Sequence, residues 1–96
     1  MQLGGKAPSF NQIRYFVAVA KYLNFRQAAG ALGISQPTLT SQINALEDTL
    51  NLTLFERSRT GTLLSPQGKA LLASAEEVLQ STQRFTEMAR DLSKGE

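Results

Sequence analysis

Hydrophobic residues recur at helical spacing in two short runs within residues 25–50, and a glycine separates the two runs. The first run, residues 25–32, follows Asn24, whose side-chain oxygen can accept a free backbone N–H at a helix start. Gly33 ends that run, because glycine readily adopts the left-handed conformation that turns the chain sharply. Ser35 can then cap a second helix. The pattern predicts a helix-turn-helix.

The second helix, predicted over residues 35–50, has two distinct faces. Its apolar stripe points inward and consists of Leu39, Ile43, Leu46 and Leu50. Its opposite face carries small or polar residues: Pro37, Ser41, Asn44 and Asp48, flanked by Thr38, Thr40 and Ala45. Such a face with a free N-terminus suits the major groove of DNA, where glutamine pairs with adenine and threonine methyls contact thymine.

Only the N-terminal half of this helix, with Gln36 in its first turn, is expected to enter the groove. Phosphates would repel Glu47 and Asp48 in the second half. An alternative is that residues 35–38 serve only as a helix cap, since capping and DNA contact use the same residue types. The residues alone leave both interpretations open.

An amphipathic segment also precedes the helix-turn-helix. Ser9 can cap a helix that runs to about Tyr22. The apolar face predicted for it consists of Phe10, Ile13, Phe16, Val17 and Ala20. We interpret this segment as a core helix, and three helices closing a small core are the usual platform for a helix-turn-helix.

A β-hairpin is predicted directly after the second helix of the pair. Asn51 can adopt the left-handed conformation and end that helix. Residues 52–57 alternate as a strand does, and residues 62–65 can return beside them with Gly61 at the tip. A hairpin in this position is a wing, so the predicted domain, residues 9–65, is a mainly α winged helix-turn-helix.

Positive charge is concentrated in this predicted domain. The net charge is only +2, but basic residues exceed acidic ones through Ser65, whereas acidic residues are in slight excess from Pro66 onward. Arg57 and Arg59 in the wing would bring charge to a phosphate or to the flanking minor groove. The alternative is that both are solvated surface arginines. The distribution is typical of a protein that meets phosphate at one end and protein at the other.

A long helix is predicted over residues 66–93, opened by the cap Ser65 and by Pro66 at the first helical position. Its apolar or small residues recur at spacings of four and three, a heptad seam. The seam and its neighbour Leu79 form the predicted dimer interface: Leu71, Ala75, Val78, Leu79, Thr82, Phe85, Ala89 and Leu92. Because a three-helix core is too small to cover this helix, we expect a homodimer. A helix packed only on its own domain is the alternative.

Composition narrows the class further. The chain has 96 residues, 42% of them hydrophobic, and contains neither cysteine nor histidine. This composition indicates one small globular domain without disulfides or thiolate metal sites, and we expect no metal, cofactor or membrane partner.

Residues 1–8 are predicted to be a flexible arm and residues 94–96 a tail. An enzyme is disfavoured, because the paired acids at 47–48 and 76–77 would point in different directions on a helix.

Together these features resemble the N-terminal part of LysR-type transcriptional regulators. The resemblance covers about residues 10–92 and rests on FxxAAxxLGISQPTLTxQIxxLE within residues 25–47, LFER at 54–57 and LSPQG at 64–68. It implies a linker helix that dimerises, and usually a tetramer of two dimers on one promoter. The family's larger C-terminal effector-binding domain has no counterpart here, either because the sequence is part of a longer protein or because that domain was lost. No inducer is therefore predicted.

The resemblance also implies site residues. Base contacts map onto Gln36, Pro37, Thr38 and Thr40, and backbone contacts onto Ser35, the wing Arg57 and Arg26, with Arg59 and Ser41 as further DNA-binding candidates. Many members carry arginine where this chain has Ser41, so one strong contact is absent. Asn51 stands where glycine is common and Leu63 where a basic residue is frequent, which leaves the wing less basic.

The function predicted is sequence-specific binding of double-stranded DNA by a bacterial homodimer in the cytoplasm, associated with the nucleoid when bound. The binding site would be pseudo-palindromic. A winged-helix protein-interaction module that does not bind DNA is the alternative, and an apolar outer face on residues 35–50 would have favoured it.

Overall fold

Four helices and one β-hairpin follow one another between residues 6 and 95, the part of the chain that the computed structural model describes. Their order is α1 (Phe10–Tyr22), α2 (Phe25–Leu32), α3 (Gln36–Leu50), β1 (Phe55–Ser58), β2 (Gly61–Leu64) and α4 (Pro66–Lys94). Most of the arm predicted over residues 1–8 and the last residue of the predicted tail lie outside the described residues. Residues 6–9 precede α1 without regular secondary structure.

Each helix begins at the cap that the sequence predicts. Asn24 accepts the backbone N–H of Gln27 at 2.8 Å, and Ser9 forms a reciprocal capping box with Gln12. The corner after α2 is closed by Gly33 in the left-handed conformation, with φ 71°. These contacts satisfy backbone groups that a helix end would otherwise leave free.

The core lies where α1, α2 and α3 meet the start of the hairpin. Its fully buried side chains include Val19, Leu39, Ile43, Leu46 and Leu54. Small residues at Ala28 and Ala29, both buried, let α2 approach its neighbours closely. The rings of Phe16 and Phe25 both pack on Phe55, with centroids 5.6 and 5.9 Å apart. The start of the wing is thus built into the three-helix core.

The prediction of the apolar face of α1 was wrong for Phe10, and it omitted two buried residues. Phe10 is 43% exposed, whereas Tyr15 and Val19, which the prediction omitted, are buried beside Phe16. The reason is that α1 packs against α2, α3 and α4 together. A helix with neighbours on several sides buries more than one stripe, and a single-stripe reading cannot identify them all.

The wing is a two-stranded antiparallel hairpin in which Arg57 pairs with Thr62 and Ser58 with Gly61. β1 starts at Phe55, not at residue 52 as predicted, because the preceding segment bonds to α3. Leu52 N–H donates to the Glu47 carbonyl, and Leu54 N–H donates to the Glu47 carboxylate at 2.7 Å. Residues 52–54 are therefore a connection whose path α3 determines.

The start of α4 is attached to the same connection. Ser65, only 2% exposed, donates its hydroxyl to the Thr53 carbonyl at 2.5 Å and accepts the Gly68 N–H at 2.9 Å. Gly68 lies so close to the Leu54 carbonyl that a Cβ at this position would collide with it. Glycine is therefore required here by close approach and not by its φ angle.

α4 is a 29-residue helix that leaves the domain. Its first turns pack on the core through Leu71, Leu72 and the buried Ala75. Every side chain from residue 80 to residue 95 is exposed.

Within the described residues no helix combines the length and the hydropathy needed to cross a bilayer. The architecture is a winged helix-turn-helix followed by a projecting helix, as the sequence predicts.

Candidate nucleic-acid interface

The outer face of α3 is open to solvent. Its inner stripe, Leu39, Ile43 and Leu46, is at most 1% exposed. The opposite side forms a shallow trough lined by Gln36, Pro37, Thr40, Ser41, Asn44, Ala45 and Asp48. None of these lining residues is a large hydrophobic one, so α3 presents a polar, unobstructed surface of the kind that a DNA groove accommodates.

Ser35 and Thr38 are engaged at the helix start. The Ser35 hydroxyl oxygen accepts the Thr38 N–H at 3.2 Å and its proton goes to Thr38 Oγ1 at 2.9 Å. The capping role considered for residues 35–38 is therefore real. Both side chains are nevertheless exposed, as are Gln36 and Ser41, so capping and an accessible binding surface coexist at the same turn.

A crevice between α2, α3 and the wing collects four of the predicted contact residues. Its lining includes Arg26, Gln36, Thr40 and Arg57, together with wing residue Thr62. Arg59 does not line this crevice; it is exposed in the two-residue turn between β1 and β2. The two wing arginines thus occupy different places, one beside α3 and one at the tip.

Arg57 is held by two other elements of the fold. Its guanidinium carbon lies 4.2 Å from the centroid of the Phe25 ring at the start of α2. Its Nη2 donates to Asn44 Oδ1 on α3 at 3.2 Å. A guanidinium over an aromatic face contributes about 0.5–1 kcal/mol at an exposed site. Arg57 is therefore not simply a solvated arginine, although it remains exposed.

The two acids of α3 have different surroundings, which the sequence did not predict. Glu47 is half-buried, and its carboxylate accepts the backbone N–H groups of Leu54 and Phe55. It therefore connects α3 to the wing and does not contribute to the outer face. Asp48 is exposed and lines the trough. From the sequence, phosphates are expected to repel both acids, but only Asp48 lies on the outer face of α3.

Asn44 and Thr62 are polar residues of this surface that were absent from the predicted DNA-binding residues. Asn44 lies eight residues after Gln36, and helical periodicity already places it on the outer face, but its contact with Arg57 depends on where the hairpin folds. Thr62 is the cross-strand neighbour of Arg57. No local signal in the sequence could have identified Thr62, because its position follows from the strand register.

The seam predicted on α4 divides into two parts. Leu71 and Ala75 pack against the core of their own domain, and Leu79 is half-buried. Val78 is 38% exposed and Phe85 75% exposed. The remaining seam residues, Thr82, Ala89 and Leu92, are also exposed. Exposed Met88 was not predicted. The helix thus carries uncovered apolar side chains along its distal half.

An apolar groove borders the base of this helix. It is lined by Pro8, Ile13, Phe16, Leu46, Leu50, Leu54, Leu71, Ser74, Ala75 and Val78. The groove is continuous with the seam through Val78.

Between residues 6 and 95 no group of acidic side chains is arranged to hold a metal ion.

Comparison with known proteins agrees with this geometry. A family model described as bacterial regulatory helix-turn-helix protein, lysR family, matches residues 10–69. A probable hydrogen peroxide-inducible genes activator of Streptomyces viridosporus is 46% identical over 84 residues, which are 88% of this chain and 27% of that protein. The chain thus spans less than a third of the length of this curated relative.

Two solved structures share the fold over almost their whole length. The BenM DBD in complex with catB site 1 DNA has a TM-score of 0.88 and 32% identity, covering 92% of this chain and 99% of that one. The CbnR DBD in complex with DNA has a TM-score of 0.82 and 39% identity, covering 88% and 98%. With the family model matching more than half of its residues, the chain belongs to the lysR family of bacterial regulatory helix-turn-helix proteins.

Proposed function

We propose that this chain is the DNA-binding portion of a dimeric transcriptional regulator and that it binds double-stranded DNA sequence-specifically, with α3 in the major groove. The observation that carries the proposal is the open polar face of α3, beside which the crevice gathers Arg26 and Arg57. Base edges would meet the helix face, and phosphates would meet the arginines. The two similar domains were solved as complexes with DNA, which supports the same use here.

The contacts divide by chemistry. Gln36 has the amide that pairs with adenine, and the methyls of Thr38 and Thr40 suit thymine. Pro37 and Ser41 complete the base-facing surface. We assign Ser35, Arg26, Arg57 and Arg59 to the phosphate backbone, and we propose that Arg59, at the wing tip, also enters the minor groove.

A second copy of the chain is the proposed partner of α4. Phe85 and Leu92 are more than 70% exposed, and a helix with such a seam is stabilised by packing on an equivalent helix. Leu71 and Ala75 are largely used within their own domain, so the distal half supplies most of the interface. Pairing places two α3 helices in one particle, as a pseudo-palindromic site requires. In a longer protein two such dimers would form a tetramer.

The remaining assignments follow from this role. Residues 9–65 form the DNA-binding unit and residues 66–93 the dimerising helix. The activity is binding and not catalysis, and the site of action is the bacterial cytoplasm, at the nucleoid when DNA is bound. One similar protein is named a probable genes activator and another an HTH-type transcriptional regulator. The open α3 face also lacks the enclosed pocket in which catalytic groups usually converge.

Selection of bound sequences from a random pool of duplex DNA tests the proposal. We expect enrichment of two related half-sites whose centres are about one helical turn, roughly 34 Å, or a multiple of it apart. Enrichment of a single half-site would contradict the dimer. Failure to enrich any sequence would contradict DNA binding and favour the winged-helix protein-interaction module.

A further inference from the structure

We infer that Asn44 is a positioning residue for Arg57. Together with Phe25 it holds the Arg57 guanidinium beside α3 before DNA is bound. The consequence for affinity rests on the proposed function, whereas the positioning itself is a property of the free protein. We call the three residues, one from each of α2, α3 and β1, the arginine bracket.

Both supports of the bracket belong to helices that pack on the core. Phe25 is only 7% exposed, and its ring packs edge-on against Phe55 with centroids 5.9 Å apart. Asn44 is exposed on the outer face of α3, and the backbone that carries it is held by the buried Ile43 and Leu46 on the inner face. Arg57 is the flexible member, since a free arginine side chain has many rotamers. Two contacts from packed helices therefore restrict the Arg57 side chain before binding, so that less of its conformational freedom is lost on binding DNA.

The contacts also tie the wing to the helix. Arg57 lies in β1, and the strand leads directly into the turn that carries Arg59. Through the 3.2 Å bond from Nη2 to Asn44 Oδ1, the hairpin takes a defined position next to the trough of α3. The bracket thus sets the spacing between a phosphate contact and the base-reading face.

Asparagine suits this task better than a carboxylate would. Its neutral oxygen accepts one of the five N–H groups of the guanidinium without neutralising the charge. The cation and its other donors stay available to a phosphate. An acid at the same position would hold Arg57 more strongly and would also oppose the negative charge of DNA.

A double-mutant cycle on DNA binding tests the coupling. Affinity for the selected site is measured for the wild type, Asn44→Ala, Arg57→Ala and the double variant. Asn44→Ala is expected to weaken binding roughly three- to tenfold when Arg57 is present and to have no further effect on Arg57→Ala. Asn11→Ala, the same change at an exposed position of α1, is the matched control and should leave affinity unchanged.

A second measurement needs no DNA. In NMR spectra of the free protein, the Nε–H proton of Arg57 should be shifted by the ring current of Phe25. Asn44→Ala should move this signal towards that of an unrestrained arginine, while Asn11→Ala should not. Asn44→Asp should retain the ring-current shift yet bind DNA more weakly than the wild type, which separates positioning from charge.

The outcomes distinguish the inference from the function on which it rests. If Asn44→Ala leaves the Arg57 signal unchanged, the inference is overturned whether or not DNA binds. Additive losses in the cycle, or an altered base preference in Asn44→Ala, would show that Asn44 contacts DNA by itself and would also overturn it. A wild-type protein that binds no DNA but loses the Arg57 shift in Asn44→Ala would refute the proposed function and support the bracket.

Discussion

The carboxylate of Glu47 accepts the backbone N–H of Leu54 at 2.7 Å, across the connection from α3 to the wing. A second N–H, from Phe55, reaches the same oxygen at 3.3 Å. An acid of α3 thus stabilises the fold, because it accepts two backbone N–H groups at the point where the chain turns into β1. This side chain is therefore one of the contacts that determine the path of the wing.

Replacing Glu47 with Ala should therefore destabilise the domain. The change removes a charged acceptor and leaves two N–H groups in a partly buried place, which costs about 1–3 kcal/mol. Urea denaturation at one fixed protein concentration measures it. Asp48→Ala, which removes a neighbouring but exposed carboxylate, should change the free energy of unfolding by no more than about 0.5 kcal/mol. Equal effects of the two substitutions would show that the Glu47 contacts contribute nothing.

Gly68 and Gly30 should respond in opposite ways to the same substitution. A methyl group on Gly68 would collide with the Leu54 carbonyl and lie 2.9 Å from a Leu64 methyl, so Gly68→Ala should cost about 2 kcal/mol or more. Apart from its two chain neighbours and the backbone of its own helix, no atom of the described residues lies within 4 Å of a Cβ at Gly30. Gly30→Ala, within α2, should raise stability by about 0.5–1 kcal/mol. Thermal unfolding of both variants checks the pair, and a Gly68→Ala protein as stable as the wild type would refute the close approach.

Gln36→Ala should reduce affinity for the selected DNA site by about 1–3 kcal/mol and relax preference at one base pair. The reason is that an exposed amide at the start of α3 can make two hydrogen bonds to an adenine edge. Binding to a panel of single-base variants of the site measures both effects. Gln80→Ala, at an exposed position of α4, is the control and should bind as the wild type does. An unchanged preference would remove Gln36 from the base-contacting residues.

Arg57→Ala should weaken binding to all sequences alike. If Arg57 neutralises one phosphate, the slope of log affinity against log salt concentration should become shallower by about 0.9. Titrations at several salt concentrations measure this slope. Arg90→Ala, near the end of α4, removes the same charge far along the chain from the wing and should leave the slope unchanged. A loss confined to one base pair would instead indicate a base contact.

Phe85→Glu should shift the protein from dimer to monomer. Phe85 is 75% exposed in the single chain, so the substitution should leave the helical circular dichroism signal intact while placing a charge in the seam. Sedimentation at micromolar concentration measures the association. Gln80→Glu introduces the same charge on another side of α4 and should remain dimeric. A wild type that is monomeric at this concentration would contradict the predicted pairing.

Much of the fold followed from local chemistry. At each of the four caps, Ser9, Asn24, Ser35 and Ser65, the side chain accepts the backbone N–H three residues later. The reason is local, because the first N–H groups of a helix have no partner within the helix itself. Leu23 shows the limit of such reasoning. It ends α1 with φ 50° in the left-handed region, a conformation that glycine or asparagine would have indicated and that leucine does not.

The sequence by itself determined the helices, their caps, the tight turn at Gly33 and the polar outer face of α3, since spacing along a helix decides which residues share a face. Only the tertiary structure decided which apolar residues of α1 are buried, that Glu47 bonds to the wing, and that Arg57 lies between Phe25 and Asn44. The contacts of Glu47 and Arg57 join residues 7 to 32 positions apart in the chain. These contacts form only when the helices and the hairpin pack together, and the local pattern of residues does not specify that packing.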